Sequence, residues 1–475
     1  METQTDISLY SDKVAIKNAN GVLDVLPATV TVSNGVITSI ETNVSPNNIS
    51  QNTQNFTGKL ITPAFINSHT HLAMAAFRGL GGEKILRKNV IEDLYFKVES
   101  LLTKEDVRAF ARIGAYESLF SGVGTVWDHY YHGHGVADAL LDTGLSGVVA
   151  PTLQDLGGPG QHHSDQTLDD TLSLAKNNTY TDSCVFTALG PHATDTVSDS
   201  LWKRVRELAK KENLPIHAHL AQSVEEYKRN TEEHGLSPVE RMDSLGILDK
   251  SLTCVFAHCI YASKNDLKLF DSLKHLLVLC PFSQLQFCFP ASANEWSKAG
   301  IQFALATDCG ASNDSMNPQG ELRWLAGVRS SNITSSMEYE DFLNHGGLPK
   351  AEVVQQKRNQ QFESMESMAS PEFLLSTLWS RPGAWTPTRP AGVITKGAWA
   401  HLAIWDLDHP TLWPSASPLR GLAFGEASQS LTSMMVHGKW IGEVGHFKES
   451  IMRSQNYNDA IQEANARFDS LASQF

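Results

Sequence analysis

The chain has 475 residues, a formal net charge of −14 and 41% hydrophobic residues. This composition excludes long disorder, and the acidic balance disfavours nucleic acid as a partner because phosphate backbones attract basic surfaces. No basic segment followed by an apolar stretch opens the sequence, and no apolar run approaches the roughly 20 residues of a membrane helix. We therefore expect a cytoplasmic protein with no signal peptide, no membrane partner and no nucleic-acid partner.

The six cysteines support a reducing compartment. They stand at positions 184, 254, 259, 280, 288 and 309, and no two of them form a C-x-x-C pair. Most lie in or beside apolar, strand-like runs, which is typical of buried free thiols.

Both ends of the chain have β-character. The runs 11–19, 28–32 and 36–41 read as strands, and the Asn20-Gly21 and Asn34-Gly35 pairs between them are strong hairpin signals. After residue 385, strands are predicted at 400–406 and 433–443, the latter with a turn at His437-Gly438. We predict one small β-sandwich built from residues 1–60 and 386–450, followed by a helix within 451–475.

Residues 61–385 show apolar strands that alternate with helical stretches. Helices are predicted at 103–120, 201–212 and 237–245. Strands are predicted at 60–67, 124–128, 146–152, 184–189, 215–218, 252–257, 276–279 and 301–306. Eight strands separated by helices predict the α/β class, and within it a (β/α)8 TIM barrel whose site lies at the C-terminal ends of the strands.

Several of these strands end in histidine or aspartate. His69 and His71 alternate along the first strand, so their side chains point to the same side. His219 follows the fifth strand and Asp308 the eighth. Singly, each residue would more often be a hydrogen-bonded strand end. Together they are the imidazoles and carboxylate that zinc prefers, in the number typical of a catalytic site.

A second H-x-H pair gives a weaker signal. His132 and His134 lie in a loop rich in tyrosine and glycine, at residues 130–135. We interpret them as loop histidines, in a loop that borders the pocket.

The full set of strings resembles the amidohydrolase superfamily. The similarity is greatest to the branch that holds deaminases of S-adenosylhomocysteine, methylthioadenosine and guanine, together with triazine chlorohydrolases. It covers nearly the whole chain. The matching segments are 63–71, Met74, Arg78-Gly79, 190–193, 217–219, 257–259, 307–308 and 312–314.

The resemblance implies one divalent metal per chain, usually Zn²⁺ with Fe²⁺ as the alternative. Its ligands would be His69, His71, His219 and Asp308, and Asp308 would also take a proton from the water that the metal activates. His258 would orient this water and stabilise the developing oxyanion.

The resemblance also implies a substrate site and an assembly. His192 would contact a small heterocyclic substrate. Glu99 falls where related deaminases hold a substrate-binding acid, although a glutamate on a helix surface is an equally good interpretation. The chain would form a homodimer or homotetramer.

One position departs from the family pattern. The family usually reads H-x-H-x-x-E after the fifth strand, and here Gln222 replaces the glutamate that protonates the heterocycle. Glutamine can form hydrogen bonds but cannot transfer a proton, a contribution of about 10²–10⁴-fold in rate. Glu225 and Glu226 follow, and we interpret them as a solvated helix start rather than as a replacement acid.

The predicted activity is therefore hydrolytic deamination of an aminopurine, pterin or triazine. The alternative is hydrolysis of another C–N or C–halide bond, because a good leaving group needs no acid and so suits Gln222. A vestigial binding protein is a third hypothesis. The loops 79–89 and 157–165, and residues 280–284 where relatives usually place Ser-Asn, would set specificity.

Overall fold

The computed structural model describes residues 6–17, 21–80, 89–290, 293–365 and 367–473. Residues 1–5 and Asn20 of the predicted Asn20-Gly21 turn lie outside the described residues. Most of the predicted specificity loop 79–89 also lies outside them.

The strands fall into one mixed sheet and two parallel sheets. In chain order they are β1 (Ile7–Lys17), β2 (Leu23–Ser33), β3 (Val36–Thr42), β4 (Thr53–Asn55), β5 (Lys59–Pro63), β6 (Phe65–His71), β7 (Val123–Tyr130), β8 (Ser146–Leu153), β9 (Val185–Thr187), β10 (Gly190–Pro191), β11 (Ile216–Leu220), β12 (Cys254–His258), β13 (His275–Leu279), β14 (Phe303–Leu305), β15 (Asp308–Cys309), β16 (Leu402–Asp406), β17 (Leu431–Val436) and β18 (Lys439–Ile441).

The mixed sheet joins both ends of the chain. Its order is β18-β17-β16-β5-β1-β2-β3, with β4 beside β1. Strand β5 is the meeting point, because it pairs in parallel with β1 and antiparallel with β16. The turns predicted at Asn34-Gly35 and His437-Gly438 are confirmed, and both asparagine and histidine adopt positive φ there.

The predicted strand 60–67 is wrong as a single element. It divides at Ala64 into β5 of the mixed sheet and β6 of a parallel sheet. The cause is a change of hydrogen-bond partner, since the Ala64 N–H donates to the His401 carbonyl whereas the Phe65 N–H donates to that of Gly122. Two sheets therefore meet within one continuous extended segment.

The parallel strands form two sheets. The first has the order β10-β8-β7-β6-β15, with β9 beside β8, and the second has the order β11-β12-β13-β14. The predicted strand 301–306 is β14, and β15 follows it on the other sheet. Between them the Thr307 N–H donates to the Asn67 side chain, which interrupts the backbone ladder. A single parallel bridge, Leu189 to Ile216, links the remaining edges of the two sheets.

Helices surround the parallel strands. The α-helices are Phe96–Glu99, Lys104–Phe120, Gly133–Thr143, Ser164–Ala175, Asn178–Thr181, Asp199–Glu212, Val224–His234, Pro238–Ser244, Pro281–Gln286, Ala293–Lys298, Gly310–Asn313, Gln319–Thr334, Met337–His345, Leu348–Met365, Pro371–Ser376, Ser380–Gly383, Pro418–Phe424, Phe447–Arg453 and Gln455–Ala472. A 3₁₀ helix, Leu72–Phe77, follows β6, and a π-helical turn covers Ile91–Tyr95.

The helices predicted at 103–120, 201–212 and 237–245 are confirmed. The first begins at a capping box in which Thr103 and Asp106 satisfy each other's backbone N–H groups. The last helix, Gln455–Ala472, packs on it, and Asn456 donates to the Tyr116 hydroxyl at 3.2 Å. None of the helices in the described ranges combines the length and apolar character that a membrane span requires.

Candidate metal centre and active-site cavity

The first two candidate ligands lie on β6 and face a carboxylate on β15. The strand register pairs Asp308 with Thr70, the residue between His69 and His71. One Asp308 carboxylate oxygen, Oδ1, consequently lies 3.6 Å from Nε2 of His69 and 3.5 Å from Nε2 of His71. His69 and His71, which are far from Asp308 in the sequence, thus form one cluster with it.

Two more histidines complete the cluster from the other parallel sheet. His219 and His258 end the neighbouring strands β11 and β12. Nε2 of His219 lies 3.3 Å from Nε2 of His71. The ligand atoms of His69, His219 and His258 all lie within 4.8 Å of one another, as do those of His69, His71 and Asp308. All five candidate residues therefore converge on one point.

Three of the clustered imidazoles are oriented in the same way. His69, His71 and His219 each use Nδ1 for a hydrogen bond within the protein, which leaves Nε2 directed at the cluster centre. The partners are Nε2 of His217 for His69 at 2.9 Å, the His129 carbonyl for His71, and the His192 carbonyl for His219 at 2.9 Å.

These residues fit a divalent metal. Nε2 of His69 is buried and has no hydrogen-bond partner, which is costly for a polar atom unless a cation satisfies it. Burial, reinforced by the neighbouring imidazoles, lowers the pKa of His69 and His219 well below the usual value, so both rings are neutral and can ligate. Neutral imidazoles with a carboxylate suit zinc.

Asp308 is held as an anion. Burial alone would raise its pKa, but the His71 and His258 imidazoles and the Ser283 hydroxyl outweigh it and bring the pKa to about 2. Its Oδ2 accepts hydrogen bonds from the hydroxyls of Ser283 at 2.7 Å and Ser312 at 3.2 Å. Ser283 keeps the serine of the family's usual Ser-Asn pair, and the departing residue, Gln284, donates instead to the Pro290 carbonyl at 3.2 Å.

A cavity of about 370 Å³ opens above the cluster. Three of the candidate ligands, His71, His219 and Asp308, form part of its wall. His192, Glu99 and Gln222, predicted from the resemblance, also line it. The apolar part of the wall includes Met74, Val90, Ile91, Phe96, Phe287 and Phe289.

Glu99 is not on a helix surface. It is 7% exposed and lines the cavity, so that alternative is wrong. Burial raises the pKa of Glu99 to about 7, although the His71 imidazole opposes the shift. His192 is neutral, because burial lowers its pKa to about 3, and its Nδ1 is fixed by the Thr196 hydroxyl at 2.9 Å.

The helix start predicted after Gln222 is confirmed, because the helix Val224–His234 begins there with Glu225 exposed in its first turn, but Glu226 is not solvated. Glu225 lines the cavity beside Gln222. Glu226 is 3% exposed, and its carboxylate accepts the backbone N–H groups of Ala221 at 3.1 Å and Gln222 at 2.7 Å. The interpretation from sequence was therefore wrong for Glu226 alone, because an acid at the third position of a helix can turn inward onto the preceding loop.

Strand β7 supplies residues that the sequence reasoning missed. His129, Tyr130 and Tyr131 line the cavity, so the prediction that this loop borders the pocket is confirmed. His132 and His134 do not line it; His132 instead bonds the Leu102 carbonyl at 3.0 Å. The sequence did contain a signal for His129. The apolar run of β7 ends in Asp128-His129, as other site strands end in polar residues, but it lacks the H-x-H spacing.

The segment 157–165 contributes no residue to the described wall, so its predicted role in specificity gains no support. Of the loop 79–89, Asn89 lines the cavity.

Comparison with known proteins places these observations in a family. The amidohydrolase family model matches residues 60–354. The chain is 28% identical to a 5-methylthioadenosine/S-adenosylhomocysteine deaminase of Thermoanaerobacter pseudethanolicus over 404 residues, 85% of this chain and 86% of that protein.

Two solved structures share the fold. An adenosine deaminase from Xanthomonas campestris with bound zinc superposes with a TM-score of 0.79 at 21% identity, covering 98% of this chain and 99% of that one. An atrazine chlorohydrolase from Arthrobacter aurescens TC1 complexed with zinc gives 0.76 at 18% identity, covering 98% and 99%. The family match, which spans more than half of the sequence, shows that this chain belongs to the amidohydrolase family.

Proposed function

We propose that this chain is a metal-dependent hydrolase that removes an amino group from an N-heterocycle of the aminopurine, pterin or triazine type. The observation that carries the proposal is the convergence of His69, His71, His219 and Asp308 at the base of one cavity. The similarity to a methylthioadenosine/S-adenosylhomocysteine deaminase supports the reaction class.

These four residues would hold one divalent cation, and the donor set favours Zn²⁺, with Fe²⁺ as the alternative. Bound there, the cation would supply Lewis acidity and lower the pKa of water. Asp308, ionised at neutral pH, accepts the proton released by the attacking water. His258 donates a hydrogen bond to the oxygen that gains negative charge at the attacked carbon.

The wall residues position the heterocycle. His192 and Glu99 are proposed to bind its edge, and the aromatic side chains of Phe96 and Phe289 to cover its face. Gln222 offers an amide hydrogen bond to a ring nitrogen without transferring a proton. The proton on the leaving group must therefore come from Asp308 or from solvent.

The charge of the wall selects among substrates. Glu99, Glu225 and Asp308 are acidic, and the described part of the wall contains no lysine or arginine. Away from the metal, a carboxylate or phosphate on a side arm of the substrate would meet Glu99 and Glu225 without a lysine or arginine in the described wall to compensate them. We therefore propose a neutral or cationic heterocycle with an apolar arm.

A second candidate is hydrolysis of a C–halide bond or of another C–N bond at the same site. Gln222 favours it, because a halide leaves as an anion and requires no proton. The reaction would use the same ligands and the same water-activating carboxylate.

We further propose that the two parallel sheets close into one (β/α)8 barrel, with a β-sandwich from both chain ends. The Leu189–Ile216 bridge and a shared hydrophobic cluster that includes Ile66 and Val255 support closure. The β-sandwich domain would combine residues 1–60 with 386–450, the barrel would cover 61–385, and a terminal helix would lie in 451–475. Because β5 extends to Pro63, we propose Ala64 as the boundary between the first two domains. The free cysteines, most of them buried, support a cytoplasmic location. The chain would form a homodimer or homotetramer, and light scattering would measure its mass in solution.

Metal analysis combined with a substrate screen tests the function. We expect about one zinc per chain, and ammonia release from one member of a panel of purines, pterins, pyrimidines and triazines. Halide release without ammonia would support the second candidate. Bound zinc with no turnover of any heterocycle would contradict both and favour a binding protein. Asp308→Asn, prepared in parallel, is the matched inactive control.

A further inference from the structure

A second cavity, of about 880 Å³, lies between the mixed sheet and the segment 370–395. It shares no lining residue with the first cavity. Pro63 and Gln302 lie in its wall, two residues before β6 begins at Phe65 and one residue before β14 begins at Phe303. The second cavity is thus at the N-terminal ends of the parallel strands, opposite to the candidate metal centre.

Arg381 is the unusual residue of this cavity. Its guanidinium lies 4.3 Å from the ring centroid of Phe373 and 5.5 Å from that of Phe303, and it donates one hydrogen bond to the Phe303 carbonyl at 3.4 Å. No carboxylate among the described residues forms an ion pair with it. Burial lowers its pKa to about 10, and no acidic neighbour opposes that shift.

The other sheltered arginines of the described chain are all paired. Each one that is buried or half-buried contacts a carboxylate within 4 Å; they are Arg108, Arg112, Arg206, Arg229, Arg241 and Arg467. A sheltered charge without a counterion costs free energy, so native proteins neutralise such groups. Arg381 is the exception, and it faces a cavity large enough for a ligand.

The rest of the wall defines what would fit. Lys17 adds a second positive charge, and Glu372 adds one negative charge at an exposed position where it accepts the Leu23 N–H at 3.3 Å. Apolar surface comes from Ile16, Leu23, Ile40, Phe373, Trp379 and Ile394. The described wall therefore combines an excess of positive charge with an apolar lining, within a chain of net charge −14.

We propose that this cavity binds a small organic anion, a carboxylate or phosphate monoester with an apolar body, and that Arg381 holds the anionic group. The planar guanidinium can give two parallel N–H bonds to such a group. The body of the ligand would pack on the aliphatic side chains of the mixed sheet. The site is independent of the proposed hydrolase activity.

Calorimetric titration with three small aromatic probes tests the proposal. Benzoate and phenyl phosphate represent the two anions, and benzamide is their uncharged counterpart. We expect at least one anion to bind with a Kd of about 1 mM or tighter, and benzamide not to bind. Arg381→Gln should weaken the anion at least about tenfold, whereas Arg389→Gln, at an exposed arginine outside the cavity, should not change its affinity.

Three outcomes would overturn the proposal: equal affinity for benzamide and the anions, unchanged affinity in Arg381→Gln, or no saturable binding of either anion up to about 10 mM. Should Arg381→Gln fail to fold, Glu372→Gln decides. Removal of that negative charge should tighten the bound anion by about twofold to fivefold. Unchanged or weaker binding in Glu372→Gln would equally refute an anion site here.

Discussion

Nδ1 of His69 lies 2.9 Å from Nε2 of His217, and both rings are fully buried. The two histidines of the H-x-H string at residues 217–219 therefore differ in their contacts: His219 turns toward the cluster centre, and His217 fixes the ring of the candidate ligand His69 on another strand. His217 is neutral, since burial lowers its pKa to about 3.

We predict that His217→Ala weakens zinc binding about 10–100-fold, because a ligand imidazole that loses its partner also loses its fixed orientation. Competition with a chromophoric chelator measures the affinity. The control is His275→Ala, which removes another fully buried histidine at the opposite end of a parallel strand. Equal zinc affinity in wild type and His217→Ala would exclude the orienting role.

Asp308→Asn should abolish turnover, with a loss of about 10²–10⁴-fold or more, because an amide cannot accept the proton of water. Asparagine is the appropriate substitution: it keeps the side-chain shape, and it tolerates the positive φ of 64° at this position. Activity assays and zinc content should be measured on the same preparation. Substantial activity in a zinc-loaded Asp308→Asn protein would refute the assigned proton acceptor.

Gln222→Glu tests whether glutamine reflects substrate choice. We expect less than about a tenfold change in kcat/KM for the native substrate, together with new deamination of aminopurines, because the carboxyl group restores a proton donor. Steady-state kinetics on both substrate types provides the measurement. A large gain on the native substrate would instead show that the natural chain is catalytically impaired. Glu225→Gln is the control: it also exchanges glutamate and glutamine in the cavity wall, but at the position next to Gln222 on that wall.

Glu99 should make stability depend on pH. Its folded-state pKa of about 7 exceeds the ordinary value of 4.5, so the folded state binds the proton more tightly than the unfolded chain. The resulting stabilisation is fully present below pH 4.5 and is lost as pH rises through about 7, by at most about 3 kcal/mol. Urea unfolding of wild type and Glu99→Gln at pH 5 and 8 tests this, with the exposed Glu41→Gln as control. An identical pH slope in wild type and Glu99→Gln would contradict it.

The acidic wall should discriminate against anionic substrates. For any heterocycle that is turned over, an analogue with a carboxylate on its side arm should have a kcat/KM lower by about tenfold or more. Glu225→Gln should reduce this discrimination, since it removes one of the repelling charges. Preference for the carboxylate analogue would show that a cation enters the site, and would sink the proposed substrate class.

The convergence of the candidate ligands was predictable because these residues lie at strand ends. Each of His69, His219 and Asp308 follows an apolar run, and parallel strands bring such ends together whatever the loops do. The burial of residues outside the strands was harder to predict from the sequence. Glu99 and Glu226 look like surface acids in the sequence, and only the packing of other segments around them makes them buried.

The division of residues 59–71 was also beyond sequence reasoning. An apolar run of this length reads as one strand, and the change of partner at Ala64 depends on Gly122 and His401, which are distant in sequence. The orienting role of His217 likewise depends on a ring on a different strand.

Strand β5 leads into the ligand strand through Ala64 alone, and its antiparallel partner is β16, Leu402–Asp406. During synthesis, the β16 residues that pair with β5 leave the ribosome only after every candidate metal ligand has already emerged. The nascent chain must therefore carry all of the candidate ligand histidines before the strand that precedes His69 and His71 acquires this neighbour. Premature termination after Asp308 but before Leu402 would leave the full candidate ligand set on a chain without that support.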